Sequence, residues 1–481
     1  MFDIESHIQK GNRYYIYGTE GVGVYCHTKI TQVLGADAVA GFIETKPQRR
    51  ECCQKKVIAV DEIGSLDDST YIILASSNYF KEMYENLAGR GIALEKIIVL
   101  NELYPYFKTL KNGSVDCIKK VCFWPPINNE DKDVIKKISW FLPDGAEVTV
   151  WCEGNVLTGL NENVHIAGQE NVEDIFEASD VICVWNLEKA SDRLEGYQNK
   201  LYVVDTDFWY FTGTMNYAFL YYESLSRAER ETSISQSRER FQKLKTENRK
   251  RRANIFCTGP SIEEVYYGEF KEDFNIVGNS LVKDKAFLER IRPKLIAFTD
   301  VNFYMSPNEY SLKFYEDVLS AVERYEADII TFDYLKPLIV KHFPEIKGRI
   351  IGIPPVAKHF VFPDAVDFST KGTGNILTAV MLPAASALCD EIGIAGCTGR
   401  SREENGKNGF WKYNPNMQYS ELRQSVLNMW PSVFRDEPYN DFYDNHCEVV
   451  EALLRYGESC GKKYINMTTS YIPALEKHTI K

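Results

Sequence analysis

The sequence has little that a membrane, a nucleic acid or a structural metal would require. Across 481 residues no apolar run reaches the roughly 20 residues of a bilayer-spanning helix. The longest candidate, 376–387, reads as a buried helix. The opening MFDIESHIQKGNR is polar, which predicts no secretory leader and a cytoplasmic chain. A basic excess is also missing. The net charge is −12, so nucleic acid is not the expected partner, although a local basic site for a small anion is compatible with it. Cysteine pairs at zinc spacing are absent. The 12 cysteines are scattered, and Cys52-Cys53 and Cys117-x4-Cys122 lack a second pair. They read as reduced core thiols, and no metal site is expected. What is present, 44% hydrophobic and 26% charged residues, describes a soluble globular protein. The length predicts roughly three domains.

The pattern predicts a multi-domain α/β chain of Rossmann-like open sheets. Residues 1–115 alternate strands (13–18, 38–44, 55–60, 70–76, 96–100) with helical stretches, which predicts a parallel, doubly wound sheet. Gly18, Gly21 and Gly23 fall at its first strand-to-helix turn. They could admit a phosphate, with Glu44 accepting a ribose hydroxyl, or they could simply pack the turn closely. Residues 116–222 read as a second α/β domain without a glycine-rich turn. Residues 223–252 are almost wholly polar and predict a solvated helical linker. The remainder, 253–481, is a third open sheet with strands expected near 253–258, 273–278, 294–300, 327–334, 349–355, 391–399 and 462–468.

In open α/β sheets ligands bind beyond the carboxyl ends of strands. In the third segment those positions hold Thr258, Gly259, Pro260 and Ser261, then Asn279 and Ser280, then Asp300 and Asn302, then Thr398 and Arg400. In CTGPSIEEV, Gly259 lets backbone approach a ligand, Pro260 suits a first helical turn, and Ser261 either caps the helix with Glu264 or donates to a phosphate. In KGTGNILTAVM, Thr373, Gly374 and Asn375 place N–H groups at the start of a buried helix, which favours an anion. Hydroxyls, amides and turn N–H groups on one rim suit a nucleotide carrying a sugar. They do not make the Ser/His/Asp arrangement of a hydrolase.

The stretches CTGPSIEEVYYGEFKEDFNIVGNS, KLIAFTDVNFY and TGNILTAVMLPAASALCDEIGIAGCTG resemble the bacterial sialyltransferases of glycosyltransferase family 42. They also resemble related GPS-turn domains of the pterin-kinase-like group. The likeness covers roughly the last 230 residues, with gaps. The first segment, through YIYGTEGVG, AGFIE, KKVIAVDEI and YIILAS, is similar to small Rossmann-like domains of sugar-modifying enzymes.

The sialyltransferase resemblance implies a GT-A-like catalytic domain that transfers a sialic acid or other nonulosonic acid. The donor would be CMP-activated and the acceptor a glycan or glycolipid of a bacterial surface polysaccharide. No metal or other cofactor is implied, and peripheral membrane contact and a homo-oligomer are both compatible with it. By position, Thr258, Gly259, Pro260 and Ser261 would border the donor phosphate and ribose, Asn279 and Asp300 the nucleotide or its sugar, and Thr373, Gly374 and Asn375 the cytosine or phosphate. The family's histidine base falls at His446, or at Tyr443 if the register shifts by about three residues. An imidazole suits proton removal near neutral pH. His446 could equally be a helix-start histidine satisfied by Asp444. His342 and His359 lie in connecting stretches and are not expected to be catalytic. The family pattern is broken at Thr258, where it has asparagine, and at Thr398, where it has an acid. Its phosphate-holding tyrosines have only Arg400, Trp411 and Tyr413 as nearby candidates.

Two other readings remain open on these residues. One is a pterin-type pyrophosphokinase using ATP and magnesium, with Asp300 and Asp333 as metal ligands. The other is a non-catalytic scaffold with a degenerate nucleotide site.

Overall fold

In a computed structural model the expected strands assemble into three sheets. The structure describes residues 4–19, 21–47, 49–75, 80–99, 118–128, 131–142, 145–152, 164–167, 171–186, 194, 197, 200–204, 210–401, 413–431 and 439–479. The chain divides into two compact units. The first comprises 1–135, 143–217 and 431–441; the second comprises 136–142, 218–430 and 442–481.

The first unit holds two sheets. One contains β1 (Arg13–Tyr17), β2 (Val39–Glu44), β3 (Glu51–Cys52), β4 (Lys55–Ala59), β5 (Thr70–Leu74) and β6 (Ile97–Val99), ordered β3-β4-β2-β1-β5-β6. All its pairings are parallel except β3 with β4. The other contains β7 (Lys120–Ile127), β8 (Glu147–Cys152), β9 (Val164–Ala167), β10 (Val181–Val184) and β11 (Leu201–Val203), ordered β11-β10-β7-β8-β9 and parallel throughout. Ile16, Phe42 and Ile73 join Trp124, Trp151 and Phe176 in one buried cluster, so the two sheets share a core. The sequence reading treats them as separate domains.

The second unit is built on β12 (Arg252–Phe256), β13 (Phe274–Gly278), β14 (Leu295–Ala297), β15 (Asp328–Phe332), β16 (Ile350–Ile353), β17 (Glu391–Ala395) and β18 (Lys463–Asn466). Their order is β16-β15-β14-β13-β12-β17-β18, and every pairing is parallel. Such strands are covered on both faces, which explains their near-continuous apolar runs; β13 and β15 are buried at every residue. The chain lays strands outward from β12 to β16, then returns to lay β17 and β18 on the other side. The strand order therefore reverses between β12 and β17.

The charged run expected as a solvated linker forms the helix Arg227–Glu247, which packs against β16. Ser226 and Glu229 make a reciprocal capping box at its start. Phe241 and Ser237 are buried on its inner side. Arg240 grips the buried Asp328 with two nitrogens, the closer at 2.8 Å. Buried Lys336 donates to Ser237 Oγ at 2.8 Å and to Ser233 O at 3.0 Å, and burial pushes its amine down to about 8. A low overall apolar content thus conceals a narrow buried stripe.

The expected helix at 376–387 begins as a π-helical segment, Leu377–Met381, and continues as an α-helix, Leu382–Leu388. Pro383 lacks an N–H and crowds the preceding turn, so a widened turn just before it relieves the strain. No helix among the described residues is long and apolar enough to cross a membrane.

Replacing Arg240 by Leu leaves Asp328 buried beside only the more distant Arg349 guanidinium at 3.8 Å. The expected cost is about 3 kcal/mol, measured by urea unfolding of the full chain. An effect below about 0.5 kcal/mol would show that the helix does not depend on this pair.

Candidate functional site

At the reversal the turns that follow β12 and β17 interlock. Cys257 N donates to Ala395 O at 2.9 Å and Gly259 N to Gly396 O at 2.8 Å. A β-carbon on Gly259 would sit 2.4 Å from Gly396 O and 2.5 Å from Thr398 Oγ1. One on Gly396 would sit 2.3 Å from Cys257 O, and Gly396 has φ +71°. Both glycines are therefore dictated by the approach of one turn to the other.

A hydroxyl chain locks the contact. Ser261 N donates to Thr398 Oγ1 at 3.0 Å, and the two hydroxyls lie 2.8 Å apart. Ser261 Oγ donates onward to Thr468 Oγ1 at 3.1 Å, so Thr398 supplies the proton of the shared bond. Thr468 also accepts from Gly396 N at 3.0 Å. Ser261 does not cap a helix. It lies inside a 3₁₀ turn, Pro260–Val265, with no side-chain cap, and Glu264 accepts from Thr469 N instead. The N–H groups of Gly259 and Ser261 are thus taken by the neighbouring turn. Thr258 is buried, and its carbonyl accepts from Asn414 N at 2.7 Å.

Asn414 opens a short segment that crosses this part of the rim. Ser280 Oγ donates to Met417 O at 2.6 Å, Tyr310 OH to Gln418 Oε1 at 2.7 Å, and Tyr419 OH to Asp317 Oδ2 at 2.8 Å. The ends of β12 and β13 are therefore roofed by the chain itself. Tyr413, at the start of this segment, is 37% exposed and lies close enough to Tyr304 to influence it electrostatically. Trp411 lies outside the described residues.

Beyond β13, Asn279 has a left-handed φ of +54°, a conformation asparagine tolerates better than most residues. It is half-buried, and among the described residues no hydrogen bond engages its side chain. Beyond β14, Asp300 Oδ1 accepts from Asn302 N at 2.9 Å and Phe303 N at 3.4 Å. Burial pushes this carboxyl up to about 6, against the pull of those two bonds and with no cation among the described residues to offset it. Yet the residue is exposed on its outer side. Asn302 is buried, and its Oδ1 has no hydrogen-bond partner. Phe303, Tyr304 and Tyr310 stand beside it, with ring centroids 5.1 Å (Phe303–Tyr310) and 6.1 Å (Tyr304–Tyr310) apart.

Met381 lies against Gly278 at the end of β13, so the start of its helix overhangs the same rim. There Asn375 Oδ1 accepts from Leu377 N at 2.9 Å and caps the helix. Thr373 and Thr378 hydroxyls pair at 2.8 Å, and Gly374 is exposed. Asp333, beyond β15, is buried and accepts from Tyr222 OH at 2.7 Å.

Across the reversal, Arg400 is buried with its guanidinium 5.9 Å from the Tyr443 ring. Tyr443 OH donates to Arg400 O at 3.1 Å or Tyr471 O at 3.0 Å, a bracing role. One turn later on the same helix, Tyr439–Ser459, comes His446. It lies inside this helix rather than at its start, and it is buried. Desolvation pushes its imidazole down to about 4, so it is neutral at working pH. His342 stacks on Trp140 at 3.6 Å and His359 is exposed.

Elsewhere in the second unit a groove of about 350 Å³ is lined by Lys285, Glu289, Asp317 and Arg324. Arg324 pairs with Glu289 and Lys285 with Asp317, so these charges satisfy one another. In the first unit Gly23 packs against Gly18 O, and Thr19 Oγ1 donates to Glu44 Oε1, the oxygen considered for a ribose. No group of three or more His, Cys, Asp or Glu side chains placed to hold a metal occurs among the described residues.

The rim thus gathers Thr258 to Ser261, Thr398 and Arg400 at the reversal, and Asn279, Asp300 and Asn375 beside it. Sequence reasoning did not find Thr468, Asn414 or Tyr304. Thr468 sits just past the end of β18, and the strand-end rule reaches it once that strand is placed beside β17. No protein-family model, curated protein or solved structure matches this chain.

Gly259→Ala is expected to cost about 2–3 kcal/mol in urea unfolding, since backbone and a hydroxyl must both yield. A neutral result would mean the turns are not held in this contact. His446 gives a pH prediction. Its folded value lies below the usual 6.5, so its contribution to stability is present above pH 6.5 and lost as pH falls toward 4. His446→Gln should therefore lose about 2–3 kcal/mol less than the parent chain between pH 7 and 4.5. Parallel acid limbs would refute a buried neutral imidazole.

Proposed function

We propose that this chain is a glycosyltransferase of GT-A-like type. On this reading it moves a nonulosonic-acid sugar from a CMP-activated donor to a glycan or glycolipid acceptor of a bacterial surface polysaccharide. One observation supports it above others: Thr258–Ser261, Asn279, Asp300, Asn375 and Thr398–Arg400 lie along one carboxyl rim, at and beside the reversal of strand order. Open α/β sheets bind ligands at such a place.

The chemistry on this reading is an inverting displacement. His446, neutral at working pH, takes the proton of an acceptor hydroxyl as that oxygen bonds the anomeric carbon. The bond from that carbon to the donor phosphate breaks, and CMP departs with the electron pair. Arg400, at the β17 turn, offsets the departing charge. With a folded value of about 4, His446 is a weak base at rest, and a bound acceptor must raise it for transfer to be fast.

A second reading, a non-catalytic nucleotide site, is favoured by one feature. Gly259 and Ser261 give their N–H groups to Gly396 and Thr398 rather than presenting them to a ligand. For the kinase reading, Asp333 is engaged by Tyr222 and is a poor magnesium ligand as it stands.

Thermal unfolding with CMP, with ATP and magnesium, and with NAD separates these readings, because a ligand of the native state raises the midpoint by mass action. A shift with CMP alone is expected. His446→Ala should keep that shift and lose at least about 100-fold in sugar transfer, the usual weight of a general base. A magnesium-dependent ATP shift would favour the kinase. A CMP shift without transfer by the parent chain would favour the non-catalytic site.

A further inference from the structure

We propose that the residues just past β13 and β14 recognise a vicinal diol, and that the anionic part of any ligand lies elsewhere along the rim. The argument begins with unfilled acceptors. Asp300 uses Oδ1 for both of its backbone bonds, which leaves Oδ2 without a partner. Two residues on, Asn302 Oδ1 is buried and unpaired. An acceptor sealed from water and left without a donor is destabilising, and native structures rarely keep one without a reason. The side chain of Asn279, held at a left-handed φ on the neighbouring strand end, also has no partner among the described residues. By contrast, Ser280 is engaged by Met417 O.

Charge narrows the ligand. Among the described residues no cation offsets Asp300, so a phosphate or carboxylate placed there would meet a like charge without compensation from them. The buried guanidinium of Arg400 belongs to the β17 turn, across the reversal. Acceptors therefore cluster at β14 and the cation at β17. Shape narrows it further. Phe303, half-buried and backed by the buried Tyr304 and Tyr310, supplies an aromatic edge, which suits the C–H face of a sugar ring. The group that fits offers two hydroxyl donors on adjacent carbons and carries no charge. The ribose of a nucleotide and the ring of an accepting sugar both qualify. An acidic side chain that accepts from ribose hydroxyls is a familiar use of such a strand end.

This inference rests on the nucleotide-sugar reading only for its choice of probes. Calorimetric titration of the full chain compares CMP with 2′-deoxy-CMP. Saturation-transfer NMR compares a methyl galactopyranoside with its 2-deoxy counterpart. Each pair is repeated on Asp300→Asn, which keeps the backbone cap but replaces the free acceptor with a donor, and on Asn302→Leu. If the diol is the ribose, CMP binds at least 10-fold tighter than its deoxy form, and Asp300→Asn reduces the ratio to within about 3-fold. If the diol belongs to the sugar, the pyranoside pair shows the same contrast and the nucleotide pair does not. Contrast in the sugar pair without any CMP binding would keep the diol site and remove the CMP function. CMP binding with no contrast in either pair would keep the function and overturn the diol site. No binding of any probe at millimolar concentration would overturn both.

Discussion

Two glycines that cannot carry a β-carbon hold the second unit's rim together. Gly259 and Gly396 let the turns after β12 and β17 approach until backbone meets backbone, and Ser261, Thr398 and Thr468 fasten them with hydroxyls. The turns at 257–261 and 396–400 take their positions from that contact. Thr258 presents its carbonyl to Asn414 because its turn is pinned. Asn414 leads into the segment that Ser280, Tyr310 and Asp317 hold down, and this segment sets how much of β12 and β13 stays covered. The open part of the rim is what remains, beside Asn279, Asp300 and Asn375.

This contact also decides between two uses of a glycine-rich turn. Such a turn can offer its N–H groups to an anion, or it can use them to bind its neighbour. Here Gly259 and Ser261 do the second. An anion would therefore have to be met at the β17 side, where Arg400 lies. The acidic strand end at Asp300 faces a different chemistry. The rim is polarised along its length, and a ligand with one anionic end and one hydroxyl-rich end matches that polarity. A nucleotide sugar has both.

The strands were legible in the sequence because buried parallel strands read as mostly apolar runs, such as NIVG at 275–278 and DIITF at 328–332. Those strand ends put Asn279, Asp300 and Thr398 just past strands of one sheet. Strand order was not legible, because it depends on pairings between segments far apart in the chain. Thr468 was therefore missed, although it completes the hydroxyl chain. Local patterns also misdirected the reading. Ser261 with Glu264 has the spacing of a capping box, but tertiary partners at Thr398, Thr468 and Thr469 claim both side chains. The polar run at 227–247 hid Ser237, Arg240 and Phe241, whose buried contacts with the sheet leave little mark on average composition.

The central claim is that a nucleotide is held at the carboxyl rim of the seven-stranded sheet. Amide hydrogen exchange of the full chain, with and without saturating CMP, tests it most directly. Slowed exchange is expected at 257–262, 279–282, 300–303, 373–378 and 396–400, with residues 13–44 unchanged. Protection confined to 13–44, or none in either region, would contradict the claim.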